Sequence, residues 1–130
     1  MKYILTTFLL LALTINAWAQ KKYQLKSPDG KLVAAISLDD KISYAITHQG
    51  ETILEPSVLN MTLENGVTWG KGSQLKSAKT TTLHQQINAL FYKRNQIDDH
   101  YNELVFSFKE NFNLVFRAYN EGIAYRFVST

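Results

Sequence analysis

Asp98, Asp99 and Glu103 are the acids of this chain that cluster near aromatic side chains, with Phe91, Tyr92 and Arg94 just before them and His100 among them. Paired carboxyl groups can share general acid and base work when both reach one substrate in a fixed pocket. Adjacent residues of an extended chain point to opposite sides, so Asp98 and Asp99 make a poor pair. They read instead as a solvated acidic turn that leads into a strand. His48, His84 and His100 stand apart, with no i, i+4 or carboxylate spacing, so they are not read as a metal site. His100 reads as a surface or loop-anchoring histidine, or as a hydrogen-bond contact to a partner domain. Phe91, Tyr92 and Trp69 carry flat apolar faces that suit ring stacking; the preferred alternative is that they cap the fold or bury against another domain. The sequence holds no nucleotide-binding loop, no nucleophile motif and no cysteine.

The elements that must position these residues read as strands and turns. Leu32, Ala34, Ile36 and Leu38 share one face of a strand, as do Ile42, Tyr44 and Ile46 of the next. Period-two alternation describes half-buried antiparallel strands. Pro28-Asp29-Gly30 is a turn in which Pro sets φ and Gly accepts a positive one. A short strand at Ile53-Leu54 is expected to end at Glu55-Pro56-Ser57. Leu59, Met61 and Leu63 then line one face of a strand that closes at Glu64-Asn65-Gly66, a hairpin signal. Gly70 to Gly72 marks a loop, and Gln74 to His84 reads as a long polar strand at an edge or on an exposed face. Residues 85–99 have mixed charge and no clean period, and read as a long loop with exposed aromatics.

The last third carries the clearest pattern. Leu104, Phe106 and Phe108 face one way, then Phe112, Leu114, Phe116 and Ala118, then Ile123, Tyr125 and Phe127, with turns at Lys109-Glu110-Asn111 and Asn120-Glu121-Gly122. Short strands at regular spacing argue an all-β, antiparallel β-sandwich.

Composition and the N-terminus set the compartment. The 130 residues hold 14 basic and 11 acidic side chains, a net charge of +3. The charges are interspersed in sign, so the basic excess is not a nucleic-acid footprint. Lys2, the apolar run Ile4 to Ile15 and Ala17-Trp18-Ala19 form an export signal with its cleavage site. The run is too short to span a bilayer, which takes roughly 20 apolar residues, and no cysteine follows for lipid attachment. Residues 1–19 are expected to be removed. Residues 20–130 then form one small domain, exported to the periplasm or beyond and free of the membrane.

Taken in order, several blocks resemble the start of one enzyme family. They are Ser27-Pro28-Asp29-Gly30-Lys31-Leu32-Val33, Ile42-Ser43-Tyr44-Ala45-Ile46, Leu54-Glu55-Pro56-Ser57, His100-Tyr101-Asn102-Glu103-Leu104 and Phe116-Arg117-Ala118-Tyr119-Asn120-Glu121-Gly122-Ile123-Ala124-Tyr125-Arg126-Phe127. The ordered set, from Tyr23 to Val128, is similar to the N-terminal domain of glycoside hydrolase family 97, the exported α-glucosidases and α-galactosidases typical of Bacteroidetes. No single block carries the likeness.

The resemblance implies a β-super-sandwich ahead of a (β/α)8 catalytic barrel and a small C-terminal β domain, with calcium in the intact enzyme and catalytic carboxylates on the barrel. Glycoside hydrolysis needs two carboxyl groups ~5–5.5 Å or ~6.5–9.5 Å apart, and none is expected here. The chain is thus expected to be a non-catalytic part of the sandwich, incomplete at its C-terminal end. Its partners would be the barrel and, through the intact enzyme, an α-linked gluco- or galacto-oligosaccharide. Phe91, Tyr92, Arg94 and His100 are the candidates for sugar contact; Asn102 and Glu103 are candidate anchors for the long loop. No cofactor or metal is expected in this chain. Family members carry Trp-Gly where this chain has Phe91-Tyr92, and Arg where it has Asp98, so the likeness does not select the sugar. Two rival classes remain: a stand-alone carbohydrate-binding module with Phe91-Tyr92-Lys93-Arg94 as its platform, and a structural β-domain with a protein partner.

Overall fold

Alternating side chains become ten strands in the computed structural model, which describes residues 21–89 and 95–130. They are β1 (Lys21–Lys26), β2 (Leu32–Leu38), β3 (Ile42–His48), β4 (Glu51–Leu59), β5 (Met61–Thr62), β6 (Thr68–Trp69), β7 (Leu75–Asn88), β8 (Gln96–Phe108), β9 (Phe112–Ala118) and β10 (Ile123–Ser129). The order β1-β2-β3-β4 makes one sheet and β10-β9-β8-β7 the other; β5 and β6 pair separately. Each pairing is antiparallel. The expected export signal and the residues Phe91, Tyr92 and Arg94 lie outside the described residues.

The core forms where the apolar rows of the two sheets meet. Leu25, Ala34, Ile36, Ile42 and Leu59 of the first sheet pack with Leu104, Phe106, Leu114, Phe116 and Ala118 of the second. Tyr23 meets Phe106 edge to face, ring centroids 4.9 Å apart. Trp69 closes one end. It is buried, stacked 4.9 Å from Phe112, which stacks in turn 4.5 Å from Phe108. Trp69 therefore belongs to the core and is no sugar platform. The third row is less complete than its alternation suggests. Tyr125 keeps contact with Tyr44 and Phe116 but is 44% exposed, because β10 is an edge strand. Val115, on the opposite face from that core, is nonetheless buried.

Two connections show how local chemistry sets the register. Gln49 and Gly50 both take positive φ (50° and 88°), the two-residue turn whose twist suits a hairpin, and β3 and β4 pair directly on either side. Gly70 has φ 89°, and a Cβ there would run into the Leu59 carbonyl oxygen. Its own carbonyl accepts from the Ile42 N–H at 3.1 Å, so this segment is tied to the first sheet.

Three expectations are corrected. The strand expected at Ile53-Leu54 runs on through Pro56 to Leu59. Pro lacks an N–H, and β4 tolerates it because it is an edge strand with an irregular register against β3. Leu59, Met61 and Leu63 do not share one strand, since β4 ends before Asn60, β5 starts after it, and β5 ends at Thr62. The largest correction concerns residues 85–99. Strands β7 and β8 continue to Asn88 and from Gln96, so the described residues of the expected loop are mostly paired strand. Asp98 and Asp99 sit within β8 and not in a turn.

Candidate functional site

Ala118 pairs with Asn102, and beyond that point β9 no longer accompanies β8. Strands β7 and β8 go on alone for six residue pairs, from Leu83 with Tyr101 to Asn88 with Gln96. At the usual strand rise this two-stranded ribbon reaches ~20 Å past the sandwich. Strand alternation gives it two unlike faces.

The base of the ribbon is fastened from both sides. On the face shared with the core, Asn102 accepts from the Thr82 hydroxyl at 2.7 Å and donates through Nδ2 to the Lys26 carbonyl at 2.8 Å, which joins the two sheets. On the other face, Arg117 Nε donates to Glu103 at 2.7 Å, and its guanidinium lies 4.3 Å from the centre of the Tyr101 ring. The Glu103 bond raises the Arg117 pKa above its ordinary value, and burial raises that of the Tyr101 phenol. Tyr119 packs 5.1 Å from Tyr101. Beside this cluster a shallow cavity of about 180 Å³ is lined by Val115, Arg117, Tyr119, Ala124, Tyr125 and Arg126.

Farther out, the core-side face turns polar. His84 and His100 are cross-strand partners with rings stacked 4.1 Å apart at 17°. His84 Nε2 lies 2.9 Å from Asp98 Oδ1, both side chains being well exposed. Near-parallel rings aim their in-plane nitrogen lone pairs side by side and not at a common point, which is the wrong geometry for two ligands of one ion. Among the described residues no group of three or more His, Asp or Glu side chains could hold a metal ion. The described residues thus offer no fitting donor set for the calcium that the resemblance assigns to the intact enzymes.

On the opposite face Gln85 Nε2 donates to Asp99 at 3.1 Å, and Ile87 pairs with Ile97. The two adjacent acids thus serve different faces, one bound to His84 and the other to Gln85. Glu103 is engaged by Arg117. The structure gathers His100 with His84 and Asp98, and places Asn102 and Glu103 at the ribbon base; it does not bring Asp98, Asp99 and Glu103 to one point. The sequence does not announce the His84–His100 contact, because the residues between them, 85–99, read as a long loop and not as the two arms of a paired ribbon. Stepping the register of Thr80 and Leu104 outward in equal steps would have found it, since the same steps pair Gln85 with Asp99 and Ile87 with Ile97.

The family described as "Glycosyl-hydrolase 97 N-terminal" matches residues 25–130. A retaining alpha-galactosidase of Bacteroides thetaiotaomicron is 44% identical over 125 residues, which are 95% of this chain and 19% of that protein. A glycoside hydrolase family 97 enzyme from Pseudoalteromonas sp. strain K8, solved with acarbose, superposes with a TM-score of 0.73 at 19% identity, over 82% of this chain and 17% of that one. A beta-arabinopyranosidase superposes with a TM-score of 0.72 at 23% identity, over 82% and 18%. These two structures speak for the fold alone. The chain spans about a fifth of the length of the relatives it matches.

Proposed function

Because the chain belongs to the glycosyl-hydrolase 97 N-terminal family, we propose that it is the non-catalytic, N-terminal β-sandwich portion of an exported α-glycosidase and supports that enzyme's catalytic domain. One observation carries this reading: nearly all of the chain aligns with under a fifth of an α-galactosidase. The geometry agrees with it. The acids of the ribbon are divided between two faces or neutralised by Arg117, which is no arrangement for acid and base to work across one glycosidic bond. The 44% identity to a retaining alpha-galactosidase favours an α-galactoside as the substrate class of the whole enzyme. Residues 1–19 act as the export signal, on the strength of the apolar run and the Ala17-Trp18-Ala19 site.

The test is an assay of the full chain on aryl α-galactosides and α-glucosides. No turnover is expected. Turnover that disappears in Glu103→Gln would overturn the reading and make this small domain an enzyme.

A further inference from the structure

We infer that the outward face of the β7–β8 ribbon, centred on Ile87 and Ile97, is the surface through which the sandwich docks on the catalytic part of its enzyme. The inference rests on the function proposed above and assigns that support to particular residues. Leu83, Tyr101, Ile87 and Ile97 lie on one face of the ribbon, with the Gln85–Asp99 pair between them. Ile87 and Ile97 form a cross-strand pair and are 44% and 41% exposed. β-branched apolar residues strengthen a ribbon when something covers them. A two-stranded ribbon without a covering layer is marginal. The opposite face needs no such cover, since His84, His100 and Asp98 satisfy one another in water.

Size and charge select the occupant. The patch amounts to a few side chains on a narrow ribbon, whereas stable free complexes bury roughly 1,200–2,000 Å². A patch this small suffices when the partner is tethered on the same polypeptide at an effective concentration of the order of millimolar. The relatives carry such a tethered mass, about four-fifths of their length lying outside the match. A second copy of this chain fits poorly, because a two-fold contact across the patch brings Asp99 against Asp99. The partner surface is therefore apolar, with a cationic or N–H donor opposite Asp99.

The test exchanges this chain for the matched first fifth of the Bacteroides thetaiotaomicron α-galactosidase, beside the full chain alone. Ile87→Thr and Ile97→Thr are combined, because Thr keeps the β-branch and removes apolar surface. Gln86→Thr on the opposite face is the control. In the exchanged enzyme the double variant should inactivate thermally on the order of tenfold faster, while its melting in the free chain and the Gln86→Thr control stay unchanged. Equal inactivation of parent and double variant would overturn docking through this face and leave the proposed function standing. Equal destabilisation of the free chain would overturn it too, because the isoleucines would then serve the sandwich itself. A parent exchange without α-galactosidase activity would defeat the proposed function, and the docking with it.

Discussion

The two halves of β8 obey different physics. From Leu104 to Phe108 its inward side chains are buried between two sheets, and Phe106 has no exposure at all. From Gln96 to His100 the same strand has one neighbour, and the side-chain contacts that accompany its backbone ladder are His84–Asp98, Gln85–Asp99 and Ile87–Ile97. Burial of apolar surface involves no charge to titrate or screen, whereas exposed polar pairs contribute little and are screened by salt. One continuous strand thus joins a part that supplies stability to a part that supplies a surface.

The comparison breaks first if the core is not where the stability lies. Phe112 is fully buried and stacked between Phe108 and Trp69. Phe112→Ala should cost ~3–5 kcal/mol, the usual range for such a truncation. Denaturant unfolding of the full chain measures it, and a loss near zero would contradict the packing described. Gly70→Ala should come next, at ~1–3 kcal/mol, from a positive φ and overlap with the Leu59 carbonyl. A matched melting experiment reads it.

These two residues were not equally legible beforehand. The rows Leu104-Phe106-Phe108 and Phe112-Leu114-Phe116 announce themselves because one face is apolar and the other is not. Gly70 reads only as a loop residue, because its constraint comes from a carbonyl eleven positions earlier in the chain. The ribbon was illegible for a related reason. Its core-side face is polar and its other face mixes Leu83 and Ile87 with Gln85, so period two of hydropathy vanishes although period two of pairing persists. Pro56 misled in the same way, since tolerance of Pro depends on β4 being an edge, a property of sheet order. The family was readable because it rests on the order of blocks and not on any one contact. Among the candidate sugar contacts only His100 falls within the described residues, stacked on His84.

A smaller effect sharpens the comparison at the turn between β1 and β2. The Ser27 hydroxyl donates to Asp29 at 2.6 Å and the Lys31 N–H donates at 3.1 Å, which holds the Asp29 carboxyl below its ordinary pKa. The Asp29 N–H also donates to Asn120 Oδ1 at 3.0 Å, so this turn is clasped to the β9–β10 turn. A carboxyl with a depressed folded pKa stabilises the fold above its unfolded pKa, near 3.9. That contribution disappears as the pH falls through the lower, folded value. The melting temperature should therefore drop modestly below pH 4, and Asp29→Asn should flatten that drop. An identical acid slope in the variant would remove Asp29 from the account.

Amide hydrogen exchange along β8 of the full chain tests the central contrast most directly. Amides paired from Leu104 to Phe108 should exchange only through global unfolding. Those from Ile97 to His100 should exchange faster, through opening of the ribbon alone, and His84→Ala should speed them further without changing the protection of Phe106. Uniform protection along the whole of β8, falling together in that variant, would show that ribbon and sandwich are one cooperative unit and would contradict the division drawn between them.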